Sequence, residues 1–355
     1  MNYQDYRTLT LNGQRLKEDE LLAYCFDSSE EYMHDIGSFL KEWLDDKTTL
    51  TIKTSGSTGE AKQISVEKNQ MLGSAALTAA YFKFEKGQTA LLALPISYIA
   101  GKMMVVRALY SGLNLLCQKP NTNPVSLLSN VAVIDFAPFT PMQMYKVKDT
   151  KNIRKILLGG APLTQEAEEK MQVLKAGIFL GYGMTETLSH VALRRINGEN
   201  RSEVYRVLEG ISIRTDDRDC LIVKAPFLPK PVFTNDVVEI KSKRTFVWKG
   251  RTDYVVNSGG IKLFPEEIEK KVASFIFDRF FFAGLPDEKL GQKLCLFIER
   301  ETYSDSEKAD LIKKIAQVVE VYEKPREIYT VSEFKTTSSG KIRRDESIKN
   351  ISTEL

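Results

Sequence analysis

Short apolar runs alternate with segments of helical periodicity along the first two thirds of the chain. Apolar residues recur at helical spacing in 71–80 and in the charged segment 163–176, and 101–110 is predicted as a further helix. Continuous apolar runs, typical of strands buried on both faces, occupy 89–94, 113–117, 131–136, 156–158 and 177–180. This alternation predicts a largely parallel α/β sheet that is covered on both faces.

The pattern changes at residue 211. Apolar runs at 211–214 and 221–223 flank an Asp-Asp-Arg-Asp turn, and runs at 237–241 and 245–248 flank Ser-Lys-Arg. Two short apolar runs joined by a polar turn predict a β-hairpin. These two hairpins predict a β-rich appendage to the α/β layers.

The pattern of apolar and polar residues changes again after residue 251. Helical segments at 265–274 and 306–319 are interleaved with apolar runs near 280, 294 and 328, which predicts a small α+β unit. The fold class is therefore predicted as α/β, with a large N-terminal domain that carries the β-rich appendage and a small α+β C-terminal domain. The predicted domains are residues 1–250 and 251–355.

Composition narrows the class of protein. The 355 residues are 43% hydrophobic and 27% charged, which is typical of a globular protein of two or more domains. A net charge of +3 indicates no strong nucleic-acid or membrane field, and no apolar run reaches the length of a membrane span. The four cysteines are far apart, and the N-terminus lacks a signal-peptide core, so we expect a reduced, cytoplasmic protein.

The run TSGSTGEAK, residues 54–62, carries the first candidate chemistry. Small hydroxyls and glycines let a backbone wrap around phosphate oxygens, and the lysine adds a positive charge. Its spacing is not that of a Walker loop, and predicted strands at 50–53 and 63–66 flank it on both sides. A flexible turn between two strands is the alternative interpretation.

Four more polar stretches follow predicted strands or lie near the C-terminus: LGGAPL (158–163), GYGMTET (181–187), KGRTDYVVNSGG (249–260) and TSSGKIR (337–343). Loops at the ends of parallel strands are where α/β folds bind ligands. Each stretch alone has a simpler interpretation as a turn, a solvated carboxylate or a basic tail.

Taken in order, these motifs closely resemble the signatures of the adenylate-forming superfamily, which includes acyl- and aryl-CoA synthetases, carrier-loading adenylation domains and luciferases. The resemblance covers about residues 50–345. It implies an enzyme that activates a carboxylate as an acyl-adenylate with ATP and Mg²⁺ and then transfers the acyl group to a thiol such as that of coenzyme A.

The resemblance also implies roles for individual residues. ATP would be bound by the phosphate loop and by residues around the adenine and ribose: Thr54, Ser55, Gly56, Ser57, Thr58, Gly59, Lys62, Gly160, Ala161, Tyr182, Asp236 and Arg251. Thr185 would contact the α-phosphate, Glu186 would bind Mg²⁺, and Lys341 on the small, mobile domain would reach the α-phosphate and the attacking carboxylate. Gly259 and Gly260 would line the path of the thiol.

The chain departs from the family pattern in three places. TND, residues 234–236, stands where the family usually has TGD, which puts the loop shape in doubt but keeps the carboxylate. Tyr98 stands where many members have histidine or another aromatic residue, as a substrate gate or as a packed ring. The phosphate loop begins at Thr54, whereas the family usually has a hundred or more residues before it. Contacts from the missing part could come from a partner subunit, so a homo-oligomer stays open.

The run GYGMTETLSHVALRRINGE is most similar to the o-succinylbenzoate–CoA ligases of menaquinone biosynthesis. That acid has a second carboxylate that is not activated and that needs donors or cations. Candidates for holding it are Ser189, His190, Arg194, Arg195 and Arg107, with surface solvation as the alternative for the arginines.

Three alternative functions stay open. One is another acyl- or aryl-CoA ligase, and a second is an enzyme that loads a carrier-protein thiol. The third is a non-catalytic nucleotide- or acyl-binding protein. The presence of Glu186, Asp236 and Lys341 argues against this last alternative.

Overall fold

The computed structural model describes residues 1–53, 63–125, 133–336 and 342–349. The helices are α1 Glu18–Phe26, α2 Glu31–Leu44, α3 Lys68–Phe82, α4 Ile99–Ser111, α5 Pro141–Met144, α6 Gln165–Met171, α7 Pro265–Val272, α8 Asp305–Ile315 and α9 Arg344–Lys349. The strands are β1 Thr8–Leu11, β2 Gln14–Lys17, β3 Thr49–Lys53, β4 Gln63–Glu67, β5 Thr89–Leu92, β6 Asn114–Cys117, β7 Ile134–Phe139, β8 Ile153–Leu158, β9 Gly177–Gly183, β10 His190–Arg195, β11 Tyr205–Val207, β12 Ser212–Thr215, β13 Cys220–Lys224, β14 Val232–Ser242, β15 Thr245–Arg251, β16 Val256–Ser258, β17 Ile261–Leu263, β18 Phe280–Asp287, β19 Gly291–Glu299 and β20 Glu327–Val331.

A sheet of 13 strands dominates the described part of the chain, in the order β12-β13-β14-β15-β11-β10-β9-β8-β7-β5-β6-β1-β2. The six strands from β9 through β8, β7, β5 and β6 to β1 run parallel to one another. They are the short apolar runs of the sequence, together with β1. Helix α4 lies between β5 and β6, α5 between β7 and β8, and α6 between β8 and β9. The α/β prediction is confirmed, with a parallel centre at the place where the apolar runs predicted it.

The β-rich appendage is a continuation of the same sheet. Strands β12 to β15 form consecutive antiparallel pairs, as the two hairpins predicted. The short strand β11 pairs with β15 on one side and with β10 on the other, so hydrogen bonds run unbroken into the parallel centre. Residues on β14 and β15 are thereby held in register with residues on β9.

The first 49 residues close the other edge of the large sheet. β1 and β2 form a hairpin across Asn12-Gly13, whose φ angles of 49° and 84° suit a tight turn of left-handed residues. Helices α1 and α2 follow, and Trp43 of α2 is fully buried. Lys68 at the start of α3 is also fully buried, and its ammonium donates to the Asp45 carboxylate at 2.7 Å.

The predicted phosphate loop lies between two antiparallel strands. β3 and β4 pair along their whole length from Thr49–Glu67 to Lys53–Gln63, as a separate two-stranded sheet, and α3 follows β4. This is the strand–loop–strand–helix order that the sequence predicted. Residues 54–62 themselves lie outside the described residues.

A second sheet, of strands β16 to β20, begins a few residues after β15 ends. With α7 and α8 it forms the predicted α+β unit, which has its own apolar core around Phe282, Leu296 and Ile315. We call this α+β unit the small unit, and the elements around the 13-stranded sheet the large unit. Helix α7 contacts the large unit through salt bridges from Lys270 to Glu203 and from Glu267 to Lys249. No helix in the described ranges has the length and hydropathy that a bilayer crossing requires.

Candidate active site

The structure leaves part of the predicted site undescribed. The ATP-binding candidates of the first loop and the catalytic candidate of the last motif lie outside the described residues: Thr54, Ser55, Gly56, Ser57, Thr58, Gly59, Lys62 and Lys341. The residues on either side of 337–341 are described, and Thr336 and Ile342 form an antiparallel bridge.

Two predicted loops lie side by side at the carboxyl ends of the parallel strands. β8 and β9 are paired in parallel with Leu158 opposite Leu180, so the turn after β8 and the turn after β9 are neighbours. Gly160 and Ala161 are exposed, and Gly160 has a φ of 94°, in the region that favours glycine. No heavy atom lies within 4 Å of the position that a Cβ on Gly160 would occupy. A ligand can therefore approach the backbone closely at this turn.

The Thr185–Glu186 turn is held by a hydroxyl and by one glycine. Thr187 Oγ1 accepts from the Met184 amide at 2.9 Å and donates to the Ser189 carbonyl at 2.7 Å. A Cβ on Gly183 would lie 2.3 Å from that same carbonyl oxygen, so only glycine fits there. Glu186 is exposed and makes no hydrogen bond or ion pair with any described residue. Its carboxylate is available to a ligand.

Asp236 is the centre of a second polar group. Its carboxylate accepts from the Tyr182 hydroxyl at 2.7 Å and from Trp248 Nε1 at 3.2 Å, and Arg251 lies 3.8 Å away. Burial, followed by the charge of Asp236, raises the pKa of Tyr182 well above its usual value, so the phenol keeps its proton and donates it in this hydrogen bond. The ring of Tyr182 packs edge-on against Tyr205 and Phe246, and its side chain is buried.

Asn235, which stands where the family usually has the glycine of TGD, forms a hydrogen bond that a glycine could not form. Its side-chain amide donates to the Asp253 carboxylate at 3.2 Å, and the same carboxylate accepts from Arg251 at 2.7 Å. Asp253 lies in the short 3₁₀ turn between the two sheets. The asparagine thus ties β14 to the connection between the large and small units.

Arg107 is the centre of a third polar group, on α4 and inside the protein. It is 2% exposed, and its guanidinium donates to Thr78 Oγ1 at 3.3 Å and, by a short hydrogen bond, to Ser189 Oγ. His190 lies between the same two hydroxyls. Arg107 forms no salt bridge with any carboxylate in the described ranges. The structure therefore brings Ser189, His190 and Arg107 together, although 82 residues separate Arg107 from Ser189.

Burial acts on both ionisable groups of this cluster. It lowers the pKa of Arg107 to about 9, so the guanidinium remains a cation at neutral pH. It also lowers the pKa of His190 well below its usual value, and the charge of Arg107 lowers it further. The cluster therefore contains one cation and one neutral imidazole.

The other two candidate arginines lie elsewhere. Arg194 is 6% exposed, and its guanidinium forms a buried salt bridge with Glu168. Arg195 lies over the Phe179 ring at 4.7 Å and donates to the Asn197 carbonyl at 2.8 Å. Surface solvation is thus wrong for Arg107 and Arg194, and of the three arginines only Arg107 joins the Ser189–His190 pair.

Tyr98, Gly259 and Gly260 are not joined to these groups by any described contact. Tyr98 is 39% exposed and precedes α4, the helix that carries Arg107. The two glycines form the turn between β16 and β17 in the small sheet, with φ angles of 58° and 83°. The Gly259 amide donates to the Leu290 carbonyl at 2.8 Å, which fixes the turn against the neighbouring loop.

The sequence profile of AMP-binding enzymes matches residues 10–219. The chain belongs to the AMP-binding enzyme family. The family resemblance drawn from the motifs is therefore confirmed. A crystal structure of an acyl-CoA synthetase (AMP-forming)/AMP-acid ligase II-like protein from Dyadobacter fermentans is 35% identical, with a TM-score of 0.60, over 91% of this chain and 95% of that one.

Two further relatives carry more specific names. The 2-succinylbenzoate–CoA ligase of Lactococcus lactis is 26% identical over 335 residues, which is 87% of this chain and 72% of that enzyme. The o-succinylbenzoate coenzyme A synthetase of Bacillus subtilis, solved with ATP and a magnesium ion, is 17% identical with a TM-score of 0.73 over 87% of this chain. At that identity the second likeness shows the fold alone.

Glu186 is a suitable magnesium ligand for an enzyme of this family. Mg²⁺ is usually bound through one or two carboxylates plus substrate phosphates and water. An exposed carboxylate at the end of a parallel strand, with no protein cation beside it in the described ranges, meets that requirement. No group of three or more acidic, cysteine or histidine side chains is present among the described residues as an all-protein metal site.

Sequence reasoning missed two residues of these groups, Thr78 and Trp248. Thr78 lies within a helix of small residues, where a threonine carries no motif signal, and its partners lie on other elements. Trp248 is the only tryptophan near the family motifs and directly precedes KGRTDY. Its ring nitrogen needs a partner when it is enclosed, and this requirement could have indicated a nearby acceptor.

Proposed function

We propose that this protein is an ATP-dependent acid–thiol ligase that converts o-succinylbenzoate to its coenzyme A thioester through an acyl-adenylate. The single observation that carries the choice of acid is Arg107, a buried cation without a carboxylate partner in the described part of the chain. It donates to Ser189, which closely follows Glu186 in the sequence. A buried charge is costly unless it is paired. A second carboxylate on the substrate would supply the missing partner.

The chemistry has two steps. The carboxylate oxygen of the acid attacks the α-phosphorus of ATP, a new O–P bond forms, and the bond to pyrophosphate breaks. The thiolate then attacks the acyl carbonyl, a C–S bond forms, and AMP leaves with the electron pair of the C–O bond. Negative charge builds on oxygens in both steps, so positioned cations and donors supply most of the stabilisation.

The described residues would contact different parts of ATP. Asp236, which accepts from Tyr182 and Trp248, would accept hydrogen bonds from the ribose hydroxyls. The open turn at Gly160 and Ala161 would lie along the adenine, and Thr185 would donate to the α-phosphate. Magnesium held by Glu186 would neutralise phosphate charge.

The names of the relatives support the choice of acid without deciding it. The Lactococcus enzyme is named for 2-succinylbenzoate, and the Dyadobacter protein, which shares more sequence, is named only as an acyl-CoA synthetase-like protein.

The test is a panel of carboxylic acids, measured first for acid-dependent release of pyrophosphate from ATP and then for consumption of coenzyme A. We expect o-succinylbenzoate to support both reactions. Benzoate should be poorer by several orders of magnitude, because a site built to pair a buried group rejects an analogue without it. Activity on fatty acids alone would contradict the acid but preserve the ligase. Pyrophosphate release without coenzyme A consumption would favour a carrier-protein thiol.

We also propose the domain boundary near Arg251 and a separate role for Lys341. One static arrangement serves the two steps poorly, because the thiol must enter where Lys341 would hold the carboxylate and the α-phosphate. Lys341→Ala should therefore slow adenylate formation by about a hundred- to a thousand-fold. It should leave thioester formation from supplied acyl-adenylate largely intact.

The matched control for Lys341→Ala is a bulky substitution at Gly259, which should slow the second step and spare the first. Both half-reactions are measured on both variants after circular dichroism has confirmed folding. Equal loss of both steps in Lys341→Ala would contradict the two-state account.

A further inference from the structure

Four side chains form a closed hydrogen-bonded cycle inside the large unit, and we call them the Arg107 network: Thr78, Arg107, Ser189 and His190. Arg107 donates to Thr78 Oγ1 at 3.3 Å and, by the short bond, to Ser189 Oγ. His190 completes the cycle, with Nδ1 at 3.2 Å from Ser189 Oγ and Nε2 at 3.3 Å from Thr78 Oγ1.

The protons of the network can be assigned from its chemistry. A guanidinium only donates, so both hydroxyl oxygens accept from Arg107. The Thr78 hydroxyl donates to the Ser74 carbonyl at 3.3 Å, and its oxygen therefore accepts from His190 Nε2–H. The Ser189 hydroxyl then donates to Nδ1. In this assignment each hydroxyl proton and each ring nitrogen has a partner, and the imidazole is neutral with its proton on Nε2.

The assignment separates His190 from Arg107, which the sequence offered as candidates for the same carboxylate. Both nitrogens of His190 are engaged by hydroxyls, so the histidine has no N–H left for a substrate. Arg107 uses two of its five N–H donors in the network, and the remaining donors have no carboxylate partner in the described ranges.

Orientation matters more for arginine than for most cations. The guanidinium binds a carboxylate best through two parallel N–H groups, and this geometry fails if the plane rotates. Thr78 and Ser189 accept hydrogen bonds from two different nitrogens of Arg107, Nε and one terminal nitrogen, which fixes the plane of the guanidinium. A charged imidazole at this place would add a second cation and would take away the acceptor of the Ser189 proton.

We propose that His190 and Thr78 are positioning residues that hold the Arg107 guanidinium in the orientation required by the unactivated carboxylate of the substrate, and that His190 does not itself contact that carboxylate. This inference rests on the proposed function.

Activity assays of four variants test the positioning role: His190→Ala, His190→Gln, Thr78→Val and Arg107→Gln. The quantity measured is the ratio of kcat/KM for o-succinylbenzoate to kcat/KM for a monocarboxylate analogue that lacks the unactivated carboxylate. His190→Ala and Thr78→Val should each lower this ratio by about tenfold, the effect of one lost hydrogen bond of about 1.4 kcal/mol. The change should lie in KM for the dicarboxylic acid. His190→Gln should keep the ratio within about threefold, because an amide offers one donor and one acceptor, as the neutral imidazole does.

A double variant separates positioning from direct contact. In the Arg107→Gln background, His190→Ala should have almost no further effect on the ratio, because residues that act through a partner are not additive. An additional tenfold loss in the double variant would overturn the inference and assign His190 to the carboxylate itself.

Nitrogen-15 NMR of the histidine rings gives a readout without turnover. The chain has only His34 and His190, so a His34→Gln variant assigns the spectrum. We expect His190 to show the neutral, Nε2-protonated tautomer and to stay neutral when the pH falls below about 6.5, where an exposed histidine becomes charged. Titration near that value, or the Nδ1-protonated tautomer, would overturn the proton assignment and the inference with it.

Failure of the proposed function has a different signature. If the unmodified enzyme shows no preference for the dicarboxylic acid, the choice of substrate is wrong and the positioning role falls with it. If the preference is present and His190→Ala leaves it unchanged, the positioning role alone is wrong.

Discussion

Two buried arginines, Arg107 and Arg194, have almost the same exposure, at 2% and 6%, and opposite surroundings. Arg194 faces the fully buried carboxylate of Glu168, with Glu203 at 3.6 Å. Burial is the largest single influence on the pKa of Arg194 and lowers it, but the hydrogen bonds to Glu168 and the charges of Tyr205, Glu168 and Glu203 together outweigh burial, and the net direction is upward. Arg107 has only neutral partners among the described residues, and burial lowers its pKa to about 9.

The difference separates a structural cation from a ligand-binding one. In a buried ion pair, each charge already has a counter-ion, so an anionic ligand gains little by binding there. An unpaired buried cation has lost its hydration without gaining a counter-ion, and an incoming anion can supply one. The Glu168–Arg194 pair also lies where Lys270 of α7 reaches Glu203, so it supports the contact between the two units. Residue type and burial alone would have classed the two arginines together.

The largest effect is expected when Arg194 loses its buried counter-ion. Glu168→Gln removes the charge that Arg194, Arg201 and Lys270 surround, at distances that reach 3.8 Å. Leaving buried Arg194 without its counter-ion should lower the free energy of unfolding by about 3 kcal/mol. Urea denaturation followed by circular dichroism measures this change. An unfolding midpoint equal to that of the unmodified protein would show that Glu203 alone suffices as the counter-ion.

The matched change at the unpaired arginine should give the opposite balance of effects. Arg107→Gln removes a charge that has no described counter-ion, so the free energy of unfolding should stay the same or rise slightly. Adenylate formation from o-succinylbenzoate should fall by about a hundredfold, since the bound carboxylate would lose its cation. A stability loss as large as that of Glu168→Gln, with selectivity unchanged, would make Arg107 a structural residue.

The smallest effect is expected when both members of the pair are replaced. The double variant Glu168→Leu/Arg194→Met exchanges two buried charges for apolar side chains of similar length. Such exchanges are often neutral, so the free energy of unfolding should return to within about 1 kcal/mol of the unmodified value. A loss greater than that of Glu168→Gln alone would show that the pair has a structural role beyond its own charge balance.

Local patterns predicted much of the fold. The parallel strands, the two hairpins, the order of elements around the phosphate loop and the small α+β unit follow from periodicity and turn residues in the sequence. The β1–β2 hairpin was missed, although Asn12-Gly13 between alternating residues is a strong turn signal. Strand β10 was also missed, since its apolar residues, 191–193, are few and lie between His190 and two arginines.

Long-range pairing could not be predicted in the same way. The contact between β11 and β15 that joins the appendage to the sheet involves strands about forty residues apart, and no local pattern encodes it. The same holds for the candidate site. Motifs selected Glu186 and Asp236, but the contrast between Arg107 and Arg194 depends on whether Glu168 or Ser189 lies beside the guanidinium, and only the tertiary structure decides that.

If Arg107 binds a second carboxylate of the substrate, the unmodified enzyme must discriminate strongly against an acid that lacks this group. The measurement is kcat/KM for acid-dependent pyrophosphate release with o-succinylbenzoate and with the monocarboxylate analogue that lacks the unactivated carboxylate. We predict a preference for o-succinylbenzoate of about 10⁴-fold, as for sites that leave a buried polar group unpaired when the analogue binds. Equal values for the two acids would show that Arg107 does not bind a second carboxylate.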